Sequence, residues 1–159
     1  MRSAVVDRPL DAGAALAEVV RPANGAVVVF VGTVRELNEG REVNGIEYSA
    51  YREMAERELA DVVREASDRF GTPDVVAEHR IGMLEVGEAS VVIAVAHPRR
   101  GKAYDASRYV IEELKKRLPI WKREHYTDGR WEWVVAASRK QEGDDSGADR
   151  DSVPAGEVT

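Results

Sequence analysis

The stretch "LKKRLPIWKREHY", residues 114–126, gathers six basic side chains, counting His125, around Pro119 and Trp121. Lysines crowded by other cations and partly withdrawn from water lose proton affinity, which makes them general acids, general bases or nucleophiles near neutral pH. Lys115 stands just before the proline break and Lys122 just after it. A basic helix end complementing the helix dipole accounts for Lys115, Lys116 and Arg117. It does not account for Lys122 and Arg123.

Two further stretches carry chemistry. In "AHPRRGKAYDA" (96–106) a strand ends at Pro98, Arg99 and Arg100 follow, and a helix begins. Unpaired N–H groups at a helix start, joined by forked guanidinium donors, suit a phosphate. The alternative is a pair of solvated loop arginines. In "FVGTVRE" (30–36), Gly32 permits close backbone approach and Arg35 places a cation at the strand end. There the alternative is a core strand emerging into solvent, with Gly32 at a bulge.

These residues need a scaffold, and hydrophobic periodicity outlines one. Helices are expected over 9–22, 52–70 and 101–118, the second with a stripe of Met54, Leu59, Val62, Val63 and Ala66 and a stop at Gly71. In the third, Ala103, Ser107, Val110, Ile111, Leu114 and Leu118 face the core, and Lys115 falls at the margin of that face. Strands are expected over 25–36 (nearly continuous and therefore buried), 45–51, 74–84 and 89–98, with a polar loop at 37–45. After Pro119, "IWKREHY" and "RWEWVVA" read as a hairpin around "TDG". On a strand Trp121 and Lys122 point to opposite faces, so Lys122 shares its surface with Glu124. Consecutive strands with short links favour antiparallel pairing, so the fold class is α+β.

Composition narrows the chemistry. The chain has 159 residues, enough for one ordinary domain, assigned to 1–138, with 139–159 an acidic, disordered tail. Net charge is −6, but residues 141–159 hold six acids and one arginine, −5, which leaves −1 for the rest. Within 99–123 nine Lys/Arg stand against three acids. A local basic patch on a near-neutral body points to a specific anionic ligand, where a nucleic-acid protein is more often basic over a whole face. Tyr104, Tyr109 and Trp121 lack the interleaving of a base-stacking platform. The absence of cysteine removes disulfides, thiolate metal sites, iron–sulfur clusters and any persulfide carrier. His79, His97 and His125 are scattered without metal-ligand spacing, so neither metal nor cofactor is expected. The longest apolar run, 26–31, is far short of a membrane span, and the N-terminus does not read as a signal peptide, which places the chain in the cytoplasm.

"FVGTVRE", "HRIGMLEVGE", "AHPRRGKAYDA" and above all "LKKRLPIWKRE" resemble the large, catalytic subunit family of molybdopterin synthase, over about residues 25–134. The resemblance implies a hammerhead-like α+β domain with a mainly antiparallel sheet. It implies conversion of cyclic pyranopterin monophosphate to molybdopterin in molybdenum-cofactor biosynthesis. Sulfur would come as a thiocarboxylate on the C-terminal glycine of a ubiquitin-like small subunit, within a heterotetramer built on a homodimer of this chain. By position, Lys115 and Lys122 match the active-site lysines. Thr33, Val34 and Arg35, then Arg99 and Arg100, then Lys122, Arg123 and Glu124 match the substrate-contacting segments, with Phe30 and Ile111 as pocket walls. The family usually has His-Arg where this chain has Arg99-Arg100, so a neutral hydrogen-bonding or proton-shuttling role at that position is lost.

On this footing Arg35 and Arg100 take the phosphate and pterin-side anions. Lys122 serves as acid/base or transient acyl acceptor at the reacting carbon, and Lys115 polarises the substrate oxygen. The competing expectation is a non-catalytic dimeric adaptor that docks a ubiquitin-like protein, favoured only by the Arg99 departure.

Overall fold

The computed structural model describes residues 1–135; the expected boundary at 138 and the acidic tail lie outside the described residues. Among the described residues twelve elements follow one another: β1 (Arg2–Val6), α1 (Ala12–Val19), β2 (Ala26–Thr33), β3 (Leu37–Asn38), β4 (Arg41–Ala50), α2 (Arg52–Phe70), β5 (Val75–Arg80), β6 (Gly82–Glu85), β7 (Ala89–His97), α3 (Arg100–Arg117), β8 (Ile120–Tyr126) and β9 (Trp131–Val135). The class is α+β, with every strand pair antiparallel except β1 on β5.

One sheet runs β1-β5-β7-β2. α1 covers one face through Ala15 and Val19 against Val76, Val92, Ala94 and Ala96. α2 and α3 cover the other, where Leu59, Val62, Val63, Ala106, Val110 and Leu114 meet Val75, Ala77, Val91, Ile93 and Val95. Burying each large aliphatic side chain stabilises by about 1.5–3 kcal/mol, so this seam dominates the core. Gly71 ends α2 in the left-handed region, its N–H reaching the Ser67 carbonyl at 2.9 Å. Arg117 ties the last turn of α3 to α2 through Glu58 (3.1 Å) and Glu65 (2.6 Å). The second sheet runs β3-β4-β8-β9, with β6 also on β4. Its inner face, Val43, Ile46, Tyr48, Leu84, Ile120 and Tyr126, joins the same core.

Five expectations need correction, the first being the polar loop over 37–45, which is instead β3 and the start of β4. β1 was not anticipated, because its five residues mix polar and apolar types. The strand expected over 74–84 is two: Gly82, at φ 98°, breaks it, so β5 stays in the first sheet and β6 crosses to the second. The strand expected to be buried over 25–36 is instead the edge of its sheet, with Phe30 and Val31 exposed. Met54 is also exposed, and Ala55 takes its place in the α2 stripe. Within the described residues no helix is long and apolar enough to cross a membrane.

Gly45 lies on β4 between β6 and β8. A Cβ there would sit 2.8 Å from Met83 Cε and 2.9 Å from the Leu84 carbonyl oxygen, and backbone cannot yield as a side chain does. Gly45→Ala should therefore cost about 1–3 kcal/mol, read as a lower urea midpoint; an unchanged midpoint would mean that β6 is free to shift.

Candidate active site

Pro119 separates α3 from β8, and the short link lets the two elements fold back on one another. Leu118 caps the helix, its N–H reaching the Leu114 carbonyl, and β8 begins at Ile120, opposite Ala50. Alternation then sets the faces. Ile120, Lys122, Glu124 and Tyr126 turn toward the interior, while Trp121 packs edge-on against Tyr51 on the other side, ring centroids 5.1 Å apart.

A cleft of about 200 Å³ opens where the end of α3, the end of β2 and the inner face of the second sheet meet. Phe30, Gly32, Thr33 and Arg35 line it from β2 and its exit, Ile111 and Lys115 from α3, and Asn38, Ile46, Tyr48, Lys122 and Glu124 from the sheet. A Cβ at Gly32 would stand 2.6 Å from Val91 Cγ1, so any larger residue there would force Val91 to move. The pairing register also shifts between Gly32 and Thr33, with the extra residue, Ser90, on the facing strand β7 and not at the glycine itself.

The electrostatics centre on three groups. Lys122 Nζ lies 2.8 Å from Glu124 Oε1, and Glu124 is 1% exposed. Asn38 Nδ2 and the Tyr126 hydroxyl donate to Glu124 Oε2 at 2.7 and 2.8 Å. Burial pushes the Glu124 carboxyl up, but the bonds from Lys122, Tyr126 and Asn38 outweigh it and hold it below the ordinary value. Lys115 is an exposed residue whose side chain lines the cleft, where neighbouring protein displaces part of its hydration. That desolvation, followed by the like charge of Lys122, lowers its proton affinity. A loosely held proton beside a fixed ion pair suits proton transfer to and from a bound anion.

The other expected site residues lie elsewhere. Val34 is buried in the core, 3% exposed, with its backbone bonded to Glu88 and Gly87. Arg123 shares the outer face with Trp121, ion-paired to Glu47 and resting over the Trp131 and Trp133 rings at 5.1 and 5.3 Å. Arg99 and Arg100 line a groove with Gly25, Lys102 and Tyr104 at the start of α3. Fifteen residues of helix separate Arg100 from Lys115, about 22 Å at 1.5 Å per residue. Sequence reasoning missed Asn38 and Tyr126. Tyr126 was legible as the next residue of the Lys122, Glu124 alternation; Asn38 gave no signal.

The family model described as MoaE protein matches residues 5–117. A molybdopterin synthase catalytic subunit from Halalkalibacterium halodurans is 44% identical over 133 residues, 84% of this chain and 85% of its own. The crystal structure of molybdopterin synthase from Staphylococcus aureus superposes with a TM-score of 0.75 at 38% identity, covering 82% of this chain and 95% of that one. A chain from the complex of subunits 1 and 2 of molybdopterin-converting factor from Helicobacter pylori shares the fold, with a TM-score of 0.66 at 23% identity over 86% of this chain and 91% of that one.

Behind the cleft, His79 is 2% exposed, meets Tyr48 edge-on at 5.4 Å and holds the Arg80 carbonyl through Nδ1 at 2.9 Å. Burial, then the charge of Lys115, push its pKa down to about 4. The folded chain thus keeps His79 neutral where the unfolded chain protonates it, at an ordinary value near 6.5. Stability from this group is complete above about pH 6.5 and is lost as pH falls toward 4. Between pH 7 and 5 the loss should be about 2 kcal/mol, measured by urea denaturation. His79→Gln should flatten that part of the profile, and an equal slope in the variant would assign it to other groups.

Proposed function

The chain belongs to the MoaE protein family, and on that premise we propose that it is the catalytic subunit of a molybdopterin synthase, moving sulfur in the cytoplasm from the thiocarboxylated C-terminus of a ubiquitin-like small subunit to cyclic pyranopterin monophosphate. The observation that carries the reading is the pairing of Lys115 and Lys122 across one cleft, with Arg35 at its rim. The chain has no cysteine, so the sulfur must reach it on another molecule. A thiocarboxylate peptide end and a phosphorylated pterin are both anions, and the cleft offers them cations at graded depth.

The environments of the two amines favour a division of labour opposite to the one first expected. Lys115, whose proton is held loosely, is the better carrier of protons. Lys122, bonded to Glu124, is the better fixed cation, placed to stabilise negative charge as it develops on the reacting oxygen or sulfur.

One copy leaves the site incomplete. Ligand pockets usually span about 300–1,000 Å³, and this cleft is smaller. Arg99 and Arg100 of the same chain stand too far away to hold the phosphate of a substrate seated at Lys115. The exposed β2 edge, with Phe30 and Val31, and the adjoining groove of Val28, Tyr104 and Ile111 lie beside the cleft. A homodimer packed there is the arrangement in which a second copy's Arg100 completes the substrate site, with one small subunit on each copy.

Purified chain mixed with thiocarboxylated small subunit and the cyclic pterin should form the dithiolene. Lys122→Ala and Lys115→Ala should each lower the rate by about 10²–10⁴, while small-subunit affinity measured by calorimetry stays within a few fold. Near-normal turnover by either variant removes that lysine from the mechanism. Partner binding by the wild-type chain without product would leave a docking adaptor.

A further inference from the structure

We propose that Asn38 and Tyr126 are positioning residues: they orient the Glu124 carboxylate so that it fixes the Lys122 amine, and Glu124 is thereby an anchor rather than a contact for substrate. This inference rests on the two-lysine reading above and adds to it the side chains that hold one of those lysines still.

The argument starts from a buried charge. A carboxylate 1% exposed is costly unless its oxygens are bonded. Glu124 receives three donors on its two oxygens: Lys122 on Oε1 at 2.8 Å, and Asn38 and Tyr126 on Oε2 at 2.7 and 2.8 Å. With both oxygens engaged and almost no surface open, the carboxylate has no side left for an anionic substrate, which it would repel in any case.

Each clamp member has a defined orientation. The Asn38 amide donates through Nδ2 to Glu124 and accepts through Oδ1 from Arg35 at 3.5 Å, so one side chain links the rim guanidinium to the buried carboxylate. Tyr126 has a single hydroxyl proton to give. Glu124 Oε2 at 2.8 Å takes it in preference to Glu132 Oε2 at 3.4 Å. Burial and the adjoining Glu124 push the hydroxyl up to about 12, so it remains a donor throughout the working range. The Arg41 guanidinium, 3.5 Å from the ring centroid, holds the ring in place. Lys122 would otherwise sweep the cleft on a flexible four-carbon stem. Tethered at one N–H and lining the cleft, it keeps its other two for a ligand.

Labelling tests the clamp without reference to turnover. The full-length chain and the variants Asn38→Ala, Tyr126→Phe and Glu124→Gln are treated with an amine-selective acylating reagent, and the rate at Lys122 is read by peptide mass spectrometry against exposed Lys102. Loss of the ionic partner should speed acylation of Lys122 about tenfold in Glu124→Gln, with a several-fold rise in the other two, the order of one charge-assisted hydrogen bond. The rate at Lys102 should stay constant. In the sulfur-transfer assay Tyr126→Phe and Asn38→Ala should lower kcat by about tenfold with KM unchanged, and should do nothing further in a Lys122→Ala background. Equal labelling of Lys122 in all the folded variants overturns the proposal, as does a raised KM with kcat preserved. Should circular dichroism show Glu124→Gln unfolded, the other two variants decide the matter. A wild-type chain that transfers no sulfur sinks the assignment of the reaction, and the labelling rates still settle the clamp.

Discussion

Two ammonium groups facing one cleft repel each other, and a protein that assembles such a pair must supply counter-charge without filling the space between them. At an effective dielectric of about 20, unit charges 4 Å apart interact by about 4 kcal/mol, comparable with much of a domain's net stability. The chain meets this constraint from behind. Glu124 reaches Lys122 from the same strand, two residues along, where alternation keeps both on the inner face. The carboxylate in turn needs donors, and Asn38 and Tyr126 provide them from β3 and the end of β8. Lys115 is left with no carboxylate contact among the described residues, so its proton affinity is the one that is lowered.

The scaffold serves that arrangement by holding α3 rigidly. The helix borders a cavity at each end: the groove lined by Arg99 and Arg100 at its start and the lysine cleft at its finish. Its last turn carries Lys115, Lys116 and Arg117, favourable at a helix C-terminus. Arg117 points away from the cleft into Glu58 and Glu65 of α2, a fork that fixes the rotation of the helix about its axis. With Arg117 so held, Lys115 is committed to the cleft side. The break at Pro119 then sets the register of β8 on β4, and a slip of one residue would send Lys122 to the outer face and Arg123 inward.

Much of this could be read from residue order. The basic run broken by a proline, the alternation that groups Lys122 with Glu124, the three helices and the glycine stop at Gly71 all follow from local rules. What failed were matters of partnership. β1 is a strand only because β5 offers it a parallel neighbour, and no feature within Arg2–Val6 announces that. Gly82 reads as one weak point in an apolar run until the second sheet exists to receive β6. Asn38 lies 86 residues from Glu124, in a stretch that reads as a polar loop. Arg123 is the instructive case. Family resemblance groups it with Lys122 and Glu124, whereas the pleat of a strand separates it from both.

The same reasoning decides the place of His97, two residues before Arg99. It is 8% exposed, and both ring nitrogens are occupied. Nδ1 accepts the Arg99 N–H at 2.9 Å, and Nε2 reaches the Phe70 carbonyl at 3.0 Å, so Nε2 must carry the proton. A ring so held shapes the turn that leads into Arg99 and Arg100, and its nitrogens are not free to exchange protons with a ligand. His79, the other buried histidine, is neutral, and its Nδ1 is bonded to the Arg80 carbonyl. Neither buried histidine lines the lysine cleft, and Lys115 is the lining group whose charge its surroundings oppose. In this chain His97 is spent on backbone geometry, and among the cleft-lining amines Lys115 is the one whose proton affinity is lowered.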